Sequence, residues 1–77
     1  MKPKAFKTFD VRPLLAAGTE PFSAIRQRVD ALAAGHGLTV IAPFLPAPLV
    51  ELLQSEGFST SMERRADGAW AVYFWRE

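Results

Sequence analysis

The sequence contains no cysteine. That excludes disulfides, zinc–thiolate centres, thiol nucleophiles and persulfide carriage, because each needs a sulfur ligand or thiolate. There is one histidine, His36, so an all-protein transition-metal site lacks ligands and no cofactor is expected. Charge of one sign is also missing: nine Lys and Arg stand against eight Asp and Glu, a net +1. Nothing therefore draws the whole chain towards nucleic acid or an anionic membrane. Internal repeats and low-complexity tracts are absent too. The uncharged stretch Ala31–Val50 is twenty residues long, yet Gly35, Gly37, Pro43, Pro46 and Pro48 would break any spanning helix. No apolar signal core follows the basic start Met1-Lys2-Pro3-Lys4. A soluble, cytoplasmic protein is expected.

What is present is enough for one small core. The 77 residues are 49% hydrophobic, which argues against disorder and for a single domain over 1–77. A chain of this size buries only about 60% of its unfolded surface, so its stability should be modest.

Taken in order, Phe6–Val11 is rich in aromatic and β-branched residues and stops before Pro13, which predicts a first strand. Pro13–Gly18 reads as an apolar connection, with Leu14 and Leu15 tucked under the sheet edge. The first helix should begin at Pro21, whose missing N–H costs nothing in a first turn, and end at Gly35. Phe22, Ile25, Val29 and Leu32 form its apolar stripe. Asp30 lies four residues after Arg26, a weakly supportive pair. The continuous apolar run Leu38–Ala42 predicts an internal strand buried on both faces. Residues Pro43–Pro48 form a stiff connector, and Pro48 opens a second helix with Leu49, Leu52 and Leu53 inward and Gly57 as a left-handed cap. Phe58–Arg65 alternates as a half-exposed strand, Asp67-Gly68 is a hairpin turn, and Trp70–Trp75 is the last strand. The order β-α-β-α-β-β predicts an α/β two-layer sandwich: a four-stranded mixed sheet with two helices on one face. The crossovers imply parallel pairing of the first strands, and the hairpin adds an antiparallel one.

The stretch Gly18-Thr19-Glu20-Pro21-Phe22 heads the first helix, where free N–H groups and the helix dipole favour a site. Its sequence, with Phe9-Asp10-Val11-Arg12 before it and Val40-Ile41-Ala42-Pro43-Phe44 and Glu56-Gly57-Phe58 after it, resembles the TusA-like (SirA-like) superfamily. The closer resemblance is to a branch catalogued as a domain of unknown function, and it covers Phe9 to Trp75. In the superfamily's sulfur carriers a Cys-Pro-x-Pro motif begins this helix, and its cysteine carries a persulfide. Laid on this chain, the motif falls on Gly18-Thr19-Glu20-Pro21, with glycine at the cysteine position. The resemblance thus implies the fold and denies the carrier activity. Where the branch often has an acid in its second loop, this chain has Leu45. Members of the branch also occur joined to hemerythrin-like domains and near respiratory nitrogen-oxide genes, which implies an accessory role.

Several residues are candidates for a site. Asp10 and Arg12 flank the end of the first strand and, with Thr19 and Glu20, could line a small-molecule or anion pocket. The plainer reading is an ion pair that fixes the loop, with Glu20 complementing the helix dipole. Asp10 with Glu20 is the only carboxylate pair in reach for an enzyme, and nothing places it around a substrate. His36, read as a loop residue between two glycines, is more often solvated than functional. Arg26, Arg28, Arg64 and Arg65 could form a patch for RNA, which the balanced charge disfavours. In the last strand, alternation sends Trp70, Val72 and Phe74 to one face and Tyr73 and Trp75 to the other. Helices cover only one face, so aromatic side chains are left either to shield the sheet or to meet a protein, helped by Phe44 and Leu45. The favoured expectation is a non-enzymatic module that dimerises or docks on a protein partner.

Overall fold

The computed structural model describes residues 3–76. Its elements are β1 (Ala5–Asp10), α1 (Arg12–Ala16), α2 (Phe22–Asp30), β2 (His36–Ala42), α3 (Ala47–Ser55), β3 (Ser59–Arg64) and β4 (Trp70–Trp75). The strands form one mixed sheet in the order β1-β2-β4-β3. β1 and β2 are parallel, and β4 runs antiparallel to both β2 and β3. Thus β4 fills the slot between two strands that point the same way. Composition explains the arrangement. The apolar run of β4 needs neighbours on both sides, while the polar sequence Ser-Thr-Ser-Met-Glu-Arg of β3 suits an edge.

Both longer helices pack on one face, giving the two-layer α/β sandwich that the element order predicts. Ile25 and Val29 of α2 and Leu49, Val50 and Leu53 of α3 meet Leu38, Val40, Ala42, Val72 and Phe74 from the sheet. A second, smaller cluster of Ile41, Ala69 and Ala71, with Tyr73 against it, lies on the other face.

Four expectations need correction. The connection after β1 is helical: Pro13 sits in the first turn of α1, and Leu14 and Leu15 pack half-buried on the core. Gly18, at φ +76°, ends α1, with Gly18 N–H donating to the Leu15 carbonyl and Thr19 N–H to that of Leu14. This paired closure satisfies carbonyls that the short helix would otherwise leave free.

The next helix stops at Asp30 rather than Gly35. Residues 31–35 turn the chain back into the sheet, with Leu32 still folded onto the core and Gly35 at φ +80° in the final turn. In α3 the inward residues are Leu49, Val50 and Leu53, and Leu52 is 51% exposed. Both stripes fit a helical period, so periodicity cannot choose between them; packing does.

Finally, β2 begins two residues early, and His36 is its exposed first residue rather than part of a loop. Gly37 can sit inside this strand because the Phe6 ring from β1 occupies the space where its side chain would be.

Candidate functional site

The head of α2 is closed by the chain itself. Pro21 is the N-cap rather than the first helical residue, so the helix begins one position later than the sequence implies, and Pro21 is buried. The Glu20 carboxylate accepts the Phe22 backbone N–H, and the Ser23 hydroxyl donates to it at 3.1 Å. These donors are therefore already engaged and do not face an external anion. Glu20 also complements the positive end of the helix dipole, as its position suggests.

Asp10 and Arg12 do form an ion pair. The Arg12 Nε donates to Asp10 Oδ1 at 3.0 Å and Nη2 to Oδ2 at 2.7 Å, while the Arg12 backbone N–H adds a bond to Oδ1 at 3.0 Å. The remaining guanidinium arm reaches Asp67 Oδ2 at 3.2 Å, on the turn between β3 and β4. Asp67 in turn accepts from the Ala69 N–H at 3.0 Å and from Arg65 Nε at 3.3 Å. Asp10, Arg12, Asp67 and Arg65 thus form a chain of charges tying the end of β1 to the hairpin. Among the described residues no hydrogen bond joins this group to Thr19 or Glu20, so the four polar residues singled out from the sequence do not converge. Asp67 and Arg65 were missed as members because Asp67-Gly68 reads locally as a turn. Only the sheet order brings that turn beside β1.

The Arg12 hydrogen bonds hold Asp10 below the usual carboxylate range, against the opposing effect of burial. Asp67 is lowered too, first by the Ala69 N–H and then by its arginines, and Arg12 is raised by Asp10 and Asp67. A carboxylate whose pKa falls on folding stabilises the fold above its unfolded value, near 3.9 for Asp, and that contribution disappears as pH falls through the folded value. Arg12→Ala should therefore be less stable than the parent at neutral pH and converge with it in strong acid. Urea denaturation at a series of pH values tests this. A gap that persists unchanged in acid would show that the loss comes from packing rather than charge.

The four arginines considered for RNA do not make one surface. Arg26 is held by Asp30 at 3.1 Å and Glu56 at 2.6 Å. Arg28 lies 4.0 Å over the Phe9 ring and Arg64 5.9 Å over Trp70, while Arg65 is on Asp67.

The aromatic residues also divide. Val72 and Phe74 face the helices, and Tyr73 and Trp75 face away. On that open face the Phe6 ring stands edge-on to Tyr73 (5.5 Å, 84°) and to Trp75 (6.1 Å, 82°). Trp75 is only 8% exposed, and the Tyr73 hydroxyl donates to Glu63 at 2.5 Å. That accepting carboxylate, followed by burial, raises the Tyr73 pKa. Phe44 and Leu45 lie elsewhere, beside the helix layer: Leu45 is half-buried on the main core and Phe44 is 51% exposed.

A more open apolar surface lies between α2 and α3. A groove of about 420 Å³ is lined by Phe22, Ser23, Arg26, Pro48, Leu49 and Leu52. Phe22 and Leu52 are 46% and 51% exposed, and a small cleft joins Phe22 to Phe44. Reading Phe22 and Leu52 as inward hid this surface. Phe22, as the first residue of its helix, and Leu52, as one of three leucines in a short one, were the available signals.

Among the described residues no group of three or more His, Asp or Glu could hold a metal ion, and no helix is long and apolar enough to cross a membrane. No curated protein and no solved structure matches the chain. A family model does, over residues 8–76, described as an uncharacterized conserved protein (DUF2249). That span takes in all but the first residues of β1 and everything after it, and so the chain belongs to the DUF2249 family.

Proposed function

We propose that this chain is a non-enzymatic, cytoplasmic interaction module, TusA-like in kind but without persulfide carriage, which binds another protein chain through the α2–α3 groove. The observation that carries this reading is the exposure of Phe22, Phe44 and Leu52 along one continuous side of the helix layer. Large apolar side chains that are left open together, rather than singly, are typical of binding surfaces. Support also comes from the separation of Asp10 and Glu20, each engaged by its own partner and neither facing a shared cavity with the other. The aromatic residues of the open sheet face largely satisfy one another, which moves the docking surface from Tyr73 and Trp75 to the helix side.

The bound chain is a second copy or a different protein, and the association with respiratory nitrogen-oxide genes implied by the resemblance gives the setting in which to seek it. Light scattering on the purified chain and pull-downs with Leu52→Glu as control test the proposal. An exposed substitution of this kind should alter stability by no more than about 0.5 kcal/mol. Association should nevertheless weaken about tenfold or more, because a carboxylate would be driven into the centre of an apolar contact. A strict monomer with no captured partner, or a partner held equally well by Leu52→Glu, defeats the reading.

A further inference from the structure

At the opposite end of α2 from its capped head, a second concavity has different chemistry. It encloses about 280 Å³ and is lined by Lys7, Arg28, Leu32, Ala33, His36 and Leu38, among others. Strand pairing explains the convergence. Lys7 stands opposite Leu38 in the β1–β2 register, and His36 is two residues before Leu38 on the same face. Arg28 reaches the same space from the last turn of α2.

The acids that neutralise other cations are committed elsewhere: Asp10 and Asp67 to Arg12 and Arg65, and Asp30 and Glu56 to Arg26. No acidic residue lines this pocket. Among the described residues, the side chains of Lys7, Arg28 and His36 have neither a carboxylate partner nor a hydrogen bond. Arg28 is nevertheless held in place, because its guanidinium carbon lies over the Phe9 ring, 4.0 Å from the ring centre. A cation–π contact of that kind restrains the head group without engaging its N–H donors with an acceptor. One cation beside a helix C-terminus offsets the dipole. Two cations and an imidazole around a hollow with a Leu32 and Leu38 wall exceed that need, and the two like charges gain from an anion between them.

We propose that this pocket binds a small organic anion, a carboxylate or phosphate monoester on a compact apolar body. Lys7 and Arg28 take the charged group, His36 adds a donor, and Leu32 and Leu38 contact the apolar part. The site is independent of the α2–α3 groove.

The test is a titration of the ¹⁵N-labelled full chain with benzoate, phenyl phosphate, acetate and benzyl alcohol, followed by amide shifts. Benzoate and phenyl phosphate should move the signals of Lys7, Arg28, Leu32, Ala33 and His36. They should bind about tenfold or more tightly than acetate, which lacks the apolar body, or benzyl alcohol, which lacks the charge. Either order between the two anions fits the proposal and identifies the preferred headgroup. Lys7→Gln and His36→Gln should each weaken binding about five- to tenfold with the spectrum otherwise unchanged, and Arg64→Gln should leave it as it was. Shifts centred instead on Arg12, Arg65 or Arg76 would overturn the assignment. So would equal binding of the neutral alcohol, equal binding of acetate, or full affinity in the folded Lys7→Gln/His36→Gln double variant.

Discussion

Gly37→Ala should destabilise the protein by about 1–3 kcal/mol, the usual range for forcing extra volume into a packed site. An added Cβ would lie 2.3 Å from Cε2 of Phe6 and 2.6 Å from Cδ2, well inside contact distance. The ring cannot simply slide away, because Tyr73 and Trp75 flank it edge-on. For a domain of this size each kcal/mol corresponds to roughly 4–8 °C in melting temperature. What distinguishes this account from a generic strand effect is a reversal of sign. In a Phe6→Ala background the obstacle is gone, and Gly37→Ala should then be neutral or stabilising by about 0.5 kcal/mol, since alanine loses less chain entropy than glycine on folding. Thermal and urea denaturation of the four proteins in this cycle measure the coupling. Equal costs in both backgrounds would mean that the Phe6 ring is not what reserves the site for glycine.

The Phe6–Gly37 contact also marks the boundary of what the sequence makes legible. Local chemistry was readable. The alternation of Trp70–Trp75, the Asp67-Gly68 turn, the Gly57 cap and the buried run before Pro43 each depend on neighbours in the chain, and each stands where the pattern put it. Features set by distant partners were not. That β4 inserts between β2 and β3 follows from comparing the polarity of two strands, not from either alone. Arg12 meets Asp67 across 55 positions, so a turn signal concealed an ionic contact. Leu52 and Val50 are equally helical, and only the sheet beneath α3 decides which is buried. The helix head was found correctly as a position, but its chemistry depended on where one side chain turned: Glu20 folds back onto the first turn. The pocket of Lys7, Arg28 and His36 had no local signature either, because its three polar members come from three elements.

Phe74→Ala should be the most damaging single change, costing about 3–5 kcal/mol by removing a large ring from a site that cannot collapse around the loss. Phe74 is 0% exposed, lies in an interior strand, and is paired with Leu38 on one side and Thr60 on the other. A globular chain of this length has about 4–12 kcal/mol of stability in total, so the variant should be partly unfolded or close to it at room temperature. Phe74→Leu, which keeps most of the volume, should cost much less, on the order of 1–1.5 kcal/mol. Urea midpoints of both variants, compared with the parent, decide the matter; an equal loss from leucine and alanine would point to the ring's shape rather than to a cavity. Set beside the pull-downs, the same variants separate folding from the proposed docking. The cluster around Phe74 holds α2 and α3 against the sheet, and their spacing sets the groove walls. Phe74→Ala should therefore lose stability and partner binding together, and Phe74→Leu should restore both. Leu52→Glu, by contrast, should lose binding alone, because its side chain touches the groove and not the core.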